Sequence, residues 1–198
     1  LLEATARACP SSRPDQGVNA VYRMAKLLRG IEEFATKLGS LPPAERVYWE
    51  QAVIDQLAIG YAPAQREGLK ARLVQEGFAL PLLLKSGLVL QRDQGSAIDR
   101  FRTRLMIPIC RDNGAIVAFG GRAMDASQQP KYLNSPETPI YVKGRTLYGL
   151  HLSKAAIVRA KHAVMVEGYF DVAQALQAGI PNVVASSGTA LTVAQGRL

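Results

Sequence analysis

Cysteine is nearly absent from this chain. The two present, Cys9 and Cys110, stand in no Cys-x-x-Cys pair and near no histidine at zinc-ligand spacing. A zinc site and a disulfide framework are both disfavoured, and a reducing, cytoplasmic setting fits. Long apolar runs are lacking too. Leu80–Leu84 is interrupted by Pro81 and bounded by Lys85, well short of the roughly 18 residues that a membrane span requires, so a soluble chain with no membrane partner is expected. No charged, then apolar, then small-residue order marks a signal peptide, and the chain opens at Leu1 without an initiator methionine, which predicts that upstream sequence is missing. Acidic residues are scarce, 16 against 24 Lys and Arg.

Hydrophobic residues make up 48% of the 198, enough to bury a core in one domain or two small ones. The net charge of +8 is concentrated: Lys85 to Lys161 holds 13 basic residues and 5 acids, and the remainder has equal numbers of each. Clustered cations release counterions when they neutralise a polyanion, so this segment points to a phosphate-bearing partner. A solvated basic surface is the alternative.

Apolar residues at three- and four-residue spacing predict a helix from Val18 to Leu38, stopped by Gly39, and a second across Pro43–Gln56. Before them, Leu1–Ala8 reads as a helix tail and Cys9–Gly17 as a loop. Leu57–Pro63 reads as a short strand with a turn, Ala64–Glu76 as a helix ended by Gly77, and Leu80–Lys85 as another. Leu105–Cys110 and Ala115–Phe119 form an expected hairpin around Arg111–Gly114, whose Asn-Gly pair suits two positive-φ positions. Ser153–Lys161 is expected as a helix capped by Ser153. Ala163–Val166, a helix from Asp171 to Ala178 and Asn182–Ala185 then make a βαβ unit with parallel strands.

Five stretches carry candidate chemistry. In RFRTR, Arg100, Arg102 and Arg104 alternate, and in an extended strand they share a face as a phosphate comb; a charge-protected edge strand is the other reading. In FGGR, paired glycines mark a close backbone approach or a bulge, and Arg122 leaves the hairpin. KYLNSPETPIYVKGRTLYG offers Lys131, Lys143 and Arg145 to phosphate, Asn134 to a base or sugar edge, and Tyr132, Tyr141 and Tyr148 for stacking, with at least one of these tyrosines expected in the core. In VMVEGYFDV a strand delivers Glu167 at its carboxyl end, where ligands of open α/β sheets bind. Glu167 could hold Mg²⁺ or move a proton; Asp171 is a metal ligand or a helix cap. Ser186–Thr189 (SSGT) is an anion-binding turn or a loop.

Taken in order, RFRTRLMIPI, AFGGR, PKYLNSPETPIYVKGRTLYGL, VMVEGYFDV and SSGTALT resemble the motif series of bacterial DnaG-type primases, and LAIGYAP matches the segment before them. The resemblance runs from about Ile54 to the end. It implies an α+β/α/β chain: a helical segment over 1–56, a basic nucleic-acid-binding subdomain with antiparallel β over 57–152, and the start of a Toprim domain, a Rossmann-like parallel sheet, over 153–198. It also implies a DNA-directed RNA polymerase activity, the synthesis of short RNA primers on single-stranded DNA from ribonucleoside triphosphates. Mg²⁺ or Mn²⁺ would bridge carboxylates to the triphosphate, with no zinc in this stretch. Arg100, Arg102, Arg104, Arg122, Lys131, Tyr132, Asn134, Lys143 and Arg145 would guide template or nucleotide, with Glu167 catalytic and Glu167 and Asp171 at the metal. A replicative helicase would be engaged through a domain outside these residues.

The family's Asp-x-Asp motif would lie beyond Leu198, so the chain alone is expected to be inactive. Ile107, Cys110 and Ser187 stand where Phe, a basic residue and Leu are usual. Two other readings stay open: a single-stranded nucleic-acid-binding module without catalysis, and another Toprim enzyme such as a nuclease, in which the KYLNSPET block has no role.

Overall fold

A computed structural model describes residues 49–92, 95–188 and 190–198. The helix expected over 18–38, the segments before it, the start of the 43–56 helix and Thr189 lie outside the described residues. The described chain divides into two compact units: residues 60–108 with 117–143, and residues 49–59 with 109–116 and 144–198.

The first unit is built on a four-stranded sheet in the order β1-β4-β5-β6, formed by β1 (Gly60–Ala62), β4 (Arg104–Cys110), β5 (Ile116–Ala123) and β6 (Tyr132–Asn134). β1 pairs antiparallel with β4, Tyr61 opposite Leu105, and β6 pairs antiparallel with β5. β4 is the apolar run expected from sequence, and Leu105 and Ile107 are fully buried. Arg111–Ala115 closes the β4–β5 hairpin, with Gly114 N–H donating to Arg111 O (3.0 Å) and Arg111 N–H to Ala115 O (2.9 Å). Only Gly114 takes a positive φ, +85°. The loop is therefore the longer kind with a glycine in the left-handed position, not the two-residue turn expected. Asn113 contributes through its side chain, since its Oδ1 accepts from Ala115 N–H (3.1 Å).

Two helices, α2 (Gly68–Gln75) and α3 (Leu80–Lys85), pack against a hairpin of β2 (Val89–Gln91) and β3 (Ala97–Asp99). Leu83, Val89 and Ala97 form that small core, flanked by Leu73 and Leu84. Both helices are legible in the sequence and the hairpin is not, because each strand is three residues long and too short to show alternation.

The second unit carries the βαβ element. β7 (Val164–Val166) and β8 (Val183–Ala185) pair in parallel, Met165 opposite Val184, joined through α5 (Tyr169–Gln177). On the other side of β8, Tyr148 and Ala185 exchange backbone hydrogen bonds (2.9 and 3.0 Å). Val172, Ala173, Val183 and Ala185 are wholly buried. Trp49 stacks on Phe170 (4.9 Å between centroids), and Tyr148 meets Tyr169 edge-on (4.8 Å), placing the short helix α1 (Gln51–Gln56) against α5. The helix before β7, α4 (Leu150–Ala160), starts earlier than expected and is entered through Gly149 at φ +83°. Ser153 is thus not its cap. It lies inside the helix, wholly buried, and donates its hydroxyl to Val183 O (2.6 Å), locking α4 to β8.

Candidate nucleic-acid interface

The RFRTR segment does not form the alternating strand expected from its pattern. β4 begins only at Arg104, and Thr103 has φ +51°, so the chain turns between Arg102 and Arg104. The three arginines accordingly separate. Arg104 is 3% exposed, and its guanidinium donates to Gly121 O (3.3 Å) and Lys131 O (3.5 Å). Burial, with repulsion from Arg102 second, pushes its pKa down. Its role is to satisfy carbonyls inside the unit. Gly121 is the residue that makes room, since a Cβ there would come within 2.8 Å of the Phe101 ring and 3.0 Å of Arg104 Cδ. The second glycine of FGGR therefore serves a close approach, that of a side chain across the sheet.

Because Gly121 faces Arg104, its neighbour Arg122 faces the other way. Arg122 stands opposite Tyr132 in the β5–β6 register, and Gly120 stands opposite Asn134. Tyr132 and Asn134 share one face of β6, and Gly120, which carries no side chain, is buried opposite Asn134. Lys131 Nζ lies 5.8 Å from the centre of the Tyr132 ring. Arg100 reaches the end of β6 from its loop and donates through Nε (3.2 Å) and Nη2 (2.9 Å) to Asn134 O, and burial pushes its pKa down. Arg102 is half-buried and donates to Asp99 O. The structure thus gathers Arg100, Arg122, Lys131, Tyr132 and Asn134 on and beside β5–β6, and removes Arg104 from them.

Asp99 escaped sequence reasoning. It is 3% exposed, and its two carboxylate oxygens accept from Leu69 N–H and Lys70 N–H (2.8 Å each), capping α2 from a strand thirty residues away. That fixes the loop carrying Arg100 and Arg102. An isolated aspartate before RFRTR gave no local signal for a long-range cap.

Farther along, Lys143 is half-buried, its N–H donating to Glu137 Oε1 (3.1 Å), and Arg145 is exposed. Tyr141 and Tyr148 are 2% and 1% exposed, so both are core residues unavailable for stacking. Burial raises the pKa of each, with Glu137 adding to the effect on Tyr141 and Tyr169 and Cys110 to that on Tyr148.

In the second unit Glu167 is exposed at the carboxyl end of β7, as its position in VMVEG implies. Its carbonyl accepts from Gly188 N–H (3.3 Å), where Ser187 and Gly188 follow β8 with successive positive φ values of +59° and +83°. Asp171 Oδ2 accepts from Gly168 N–H (2.9 Å), the contact that caps α5. That commits the oxygen to helix capping, one of the two roles the sequence left open. Among the described residues no group of three or more His, Cys, Asp or Glu could hold a metal ion. Glu167 fits as one oxygen ligand of a hard divalent cation, and these residues do not complete a site.

The sequence matches the family "DNA primase catalytic core, N-terminal domain" over residues 44–154, more than half of the chain. The chain belongs to the DnaG-type primase catalytic core family. A Toprim domain match follows over residues 161–198. Relatives include the DNA primase of Synechococcus elongatus, 47% identical over 151 residues, covering 75% of this chain and 22% of that protein. That of Halalkalibacterium halodurans is 41% identical over 189 residues, 89% of this chain and 31% of that protein. The E. coli primase catalytic core is similar at TM-score 0.74 and 33% identity, over 93% of this chain and 57% of that one. A DnaG primase catalytic domain bound to ssDNA is similar at TM-score 0.71 and 34% identity, over 89% of this chain and 54% of that one. The chain thus spans between a fifth and a third of these two relatives' length. The antiparallel sheet with helices, followed by the parallel Toprim strands, is the fold expected from the motifs.

Proposed function

We propose that this chain holds single-stranded DNA and nucleotide for a primase, the whole protein synthesising short RNA primers for replication by metal-dependent nucleotidyl transfer. The observation that carries this reading is the β5–β6 face: Arg122 across from Tyr132, Gly120 across from Asn134, with Lys131 and Arg100 beside them. Cations beside an aromatic ring and an amide suit a flexible strand that offers phosphates and flat bases. The likeness to a primase domain bound to ssDNA supports the same assignment.

In this reading Arg122 and Lys131 take phosphates, Tyr132 stacks a base, and Asn134 reads a base or sugar edge. Arg100 and Arg102 hold the neighbouring backbone and lend charge, Lys143 offers a further cation in the same unit, and Arg145 offers one in the second unit. Arg104 is assigned to structure and Asp171 to helix capping. The division into a basic subdomain over 57–152 and a Toprim start over 153–198 is part of the proposal, supported by family matches that meet between residues 154 and 161. Ribonucleoside triphosphates, the RNA primer and a replicative helicase are the partners it entails, and the cytoplasm is the compartment. Among the described residues no helix is long and apolar enough to cross a membrane.

Mg²⁺ is the cation proposed at Glu167, where a bound ion supplies charge that neutralises triphosphate and leaving pyrophosphate. Glu167 presents its carboxylate from a strand end that the Gly188 N–H holds in place. One such group cannot organise the transfer, so these 198 residues with Mg²⁺, ribonucleoside triphosphates and a single-stranded template are expected to give no primers, and primer synthesis would overturn that statement. The binding role is tested by fluorescence anisotropy with a labelled single-stranded oligonucleotide. Binding that weakens steeply with salt is expected, and absence of binding at low salt would remove the proposal.

A further inference from the structure

Thr192 and Gln195 form a reciprocal capping pair near the end of the chain. Gln195 N–H donates to Thr192 Oγ1 (3.0 Å), and Thr192 N–H donates to Gln195 Oε1 (3.0 Å). This is the arrangement a Thr-x-x-Gln or Thr-x-x-Glu sequence makes at a helix start. It uses only acceptors of the two side chains and leaves their donors to spare. Both donors go to one distant segment: Thr192 Oγ1–H to Gly144 O (2.6 Å), and Gln195 Nε2–H to Thr146 O (2.8 Å).

Those two carbonyls belong to the residues on either side of Arg145. The backbone is therefore pinned immediately before and after an exposed arginine, by a pair whose inner member, Gln195, is 1% exposed. Capping alone would be served equally by glutamate. Glutamate would set an oxygen against Thr146 O, so the amide nitrogen is what the second contact requires.

We propose that Gln195, with Thr192, is a positioning residue that fixes Arg145 for phosphate contact. The clamp acts on the backbone and touches no substrate. It rests on the reading of Arg145 as a phosphate ligand. Its physical effect is to remove freedom from the peptide that carries the guanidinium, so that binding does not have to order it.

The test is a double-mutant cycle on the full 198-residue chain, using anisotropy with a labelled single-stranded oligodeoxynucleotide at low salt. Gln195→Met removes the Thr146 contact and the side-chain half of the cap without adding charge, leaving the Thr192 contact to Gly144 O. Gln195→Glu keeps the cap and loses only the Thr146 contact, so it remains informative if the methionine variant fails to fold. Its added charge weakens binding in both backgrounds, so for this variant the clamp is read as the weakening beyond that seen with Arg145→Ala. Gln195→Met is expected to weaken binding by between about twofold and tenfold, the range of one lost hydrogen bond, and to have no further effect when Arg145→Ala is present; Gln195→Glu is expected to show an excess of the same size when Arg145 is in place. Equal weakening in both backgrounds would mean a merely structural role and overturn the inference, as would unchanged binding in both variants. If Arg145→Ala alone leaves binding unaltered, the phosphate role of Arg145 falls and the clamp falls with it; if it weakens binding while neither Gln195 variant does, only the clamp falls.

Discussion

The two units place their charged side chains differently. In the sheet unit, charged groups are part of the framework: Arg104 serves two carbonyls from a buried position, Asp99 caps a helix across thirty residues, and Arg100 grips Asn134 O. In the βαβ unit the buried polar groups are uncharged, Ser153 on Val183 O and Gln195 on Thr146 O, within a core of Val172, Ala173, Val183 and Ala185, and Glu167 stands exposed at a strand end. A basic residue in the first unit cannot be counted as available to nucleic acid until its hydrogen bonds are known. In the second, the acid that matters is identified by its place at the end of a strand.

The contrast breaks first at Arg104. Replacing Arg104 with Ala removes a buried donor from Gly121 O and Lys131 O and is expected to lower unfolding free energy by about 2 to 3 kcal/mol. Urea denaturation measures this, and Glu167→Ala, at an exposed position, is expected to stay within about 0.5 kcal/mol of wild type in the same assay. A stable Arg104→Ala protein would return that arginine to the binding face. Next in size, Tyr132→Ala should weaken single-stranded DNA binding by about 1 to 2 kcal/mol while leaving the denaturation midpoint nearly unchanged. Equal losses in binding and stability would recast Tyr132 as a packing residue.

A smaller effect belongs to the second unit. Ser153→Ala strips Val183 O of its side-chain donor and should cost about 1 kcal/mol in the same denaturation measurement. The smallest is pH-dependent. His151 Nδ1 is buried with no hydrogen-bond partner among the described residues, and burial pushes the His151 pKa below its ordinary value. The unfolded chain then binds the proton more readily, so stability is full above about pH 6.5 and declines as pH falls toward the lowered folded value. His151→Gln should flatten that decline, and an identical pH profile in the variant would assign the acid sensitivity elsewhere.

Structure is most legible in the sequence where pattern and covalent neighbours decide the outcome. The strand β4, both helices of the first unit and the parallel βαβ element follow from apolar runs bounded by glycines, and Glu167 follows from a strand ending in Glu-Gly. It is least legible where a residue answers to partners far along the chain. Alternation in RFRTR suggested a comb, and the turn at Thr103 together with two distant carbonyls drew Arg104 inward. Ser153 looked like a cap because its helix was read as starting there, whereas Gly149 provides the entry and Val183 O takes the hydroxyl. Tyr141 and Tyr148 resembled Tyr132 in sequence, and only burial separates them. The family resemblance placed these motifs in order; the hydrogen bonds divided them between holding the protein and facing its ligand.

The claim that the β5–β6 face carries nucleic acid is tested most directly by the salt dependence of single-stranded DNA binding in Arg122→Ala against the wild type. The account predicts weaker binding and a log–log slope shallower by about 0.7, one phosphate contact on a single strand. An unchanged slope and affinity would place the strand elsewhere and contradict it.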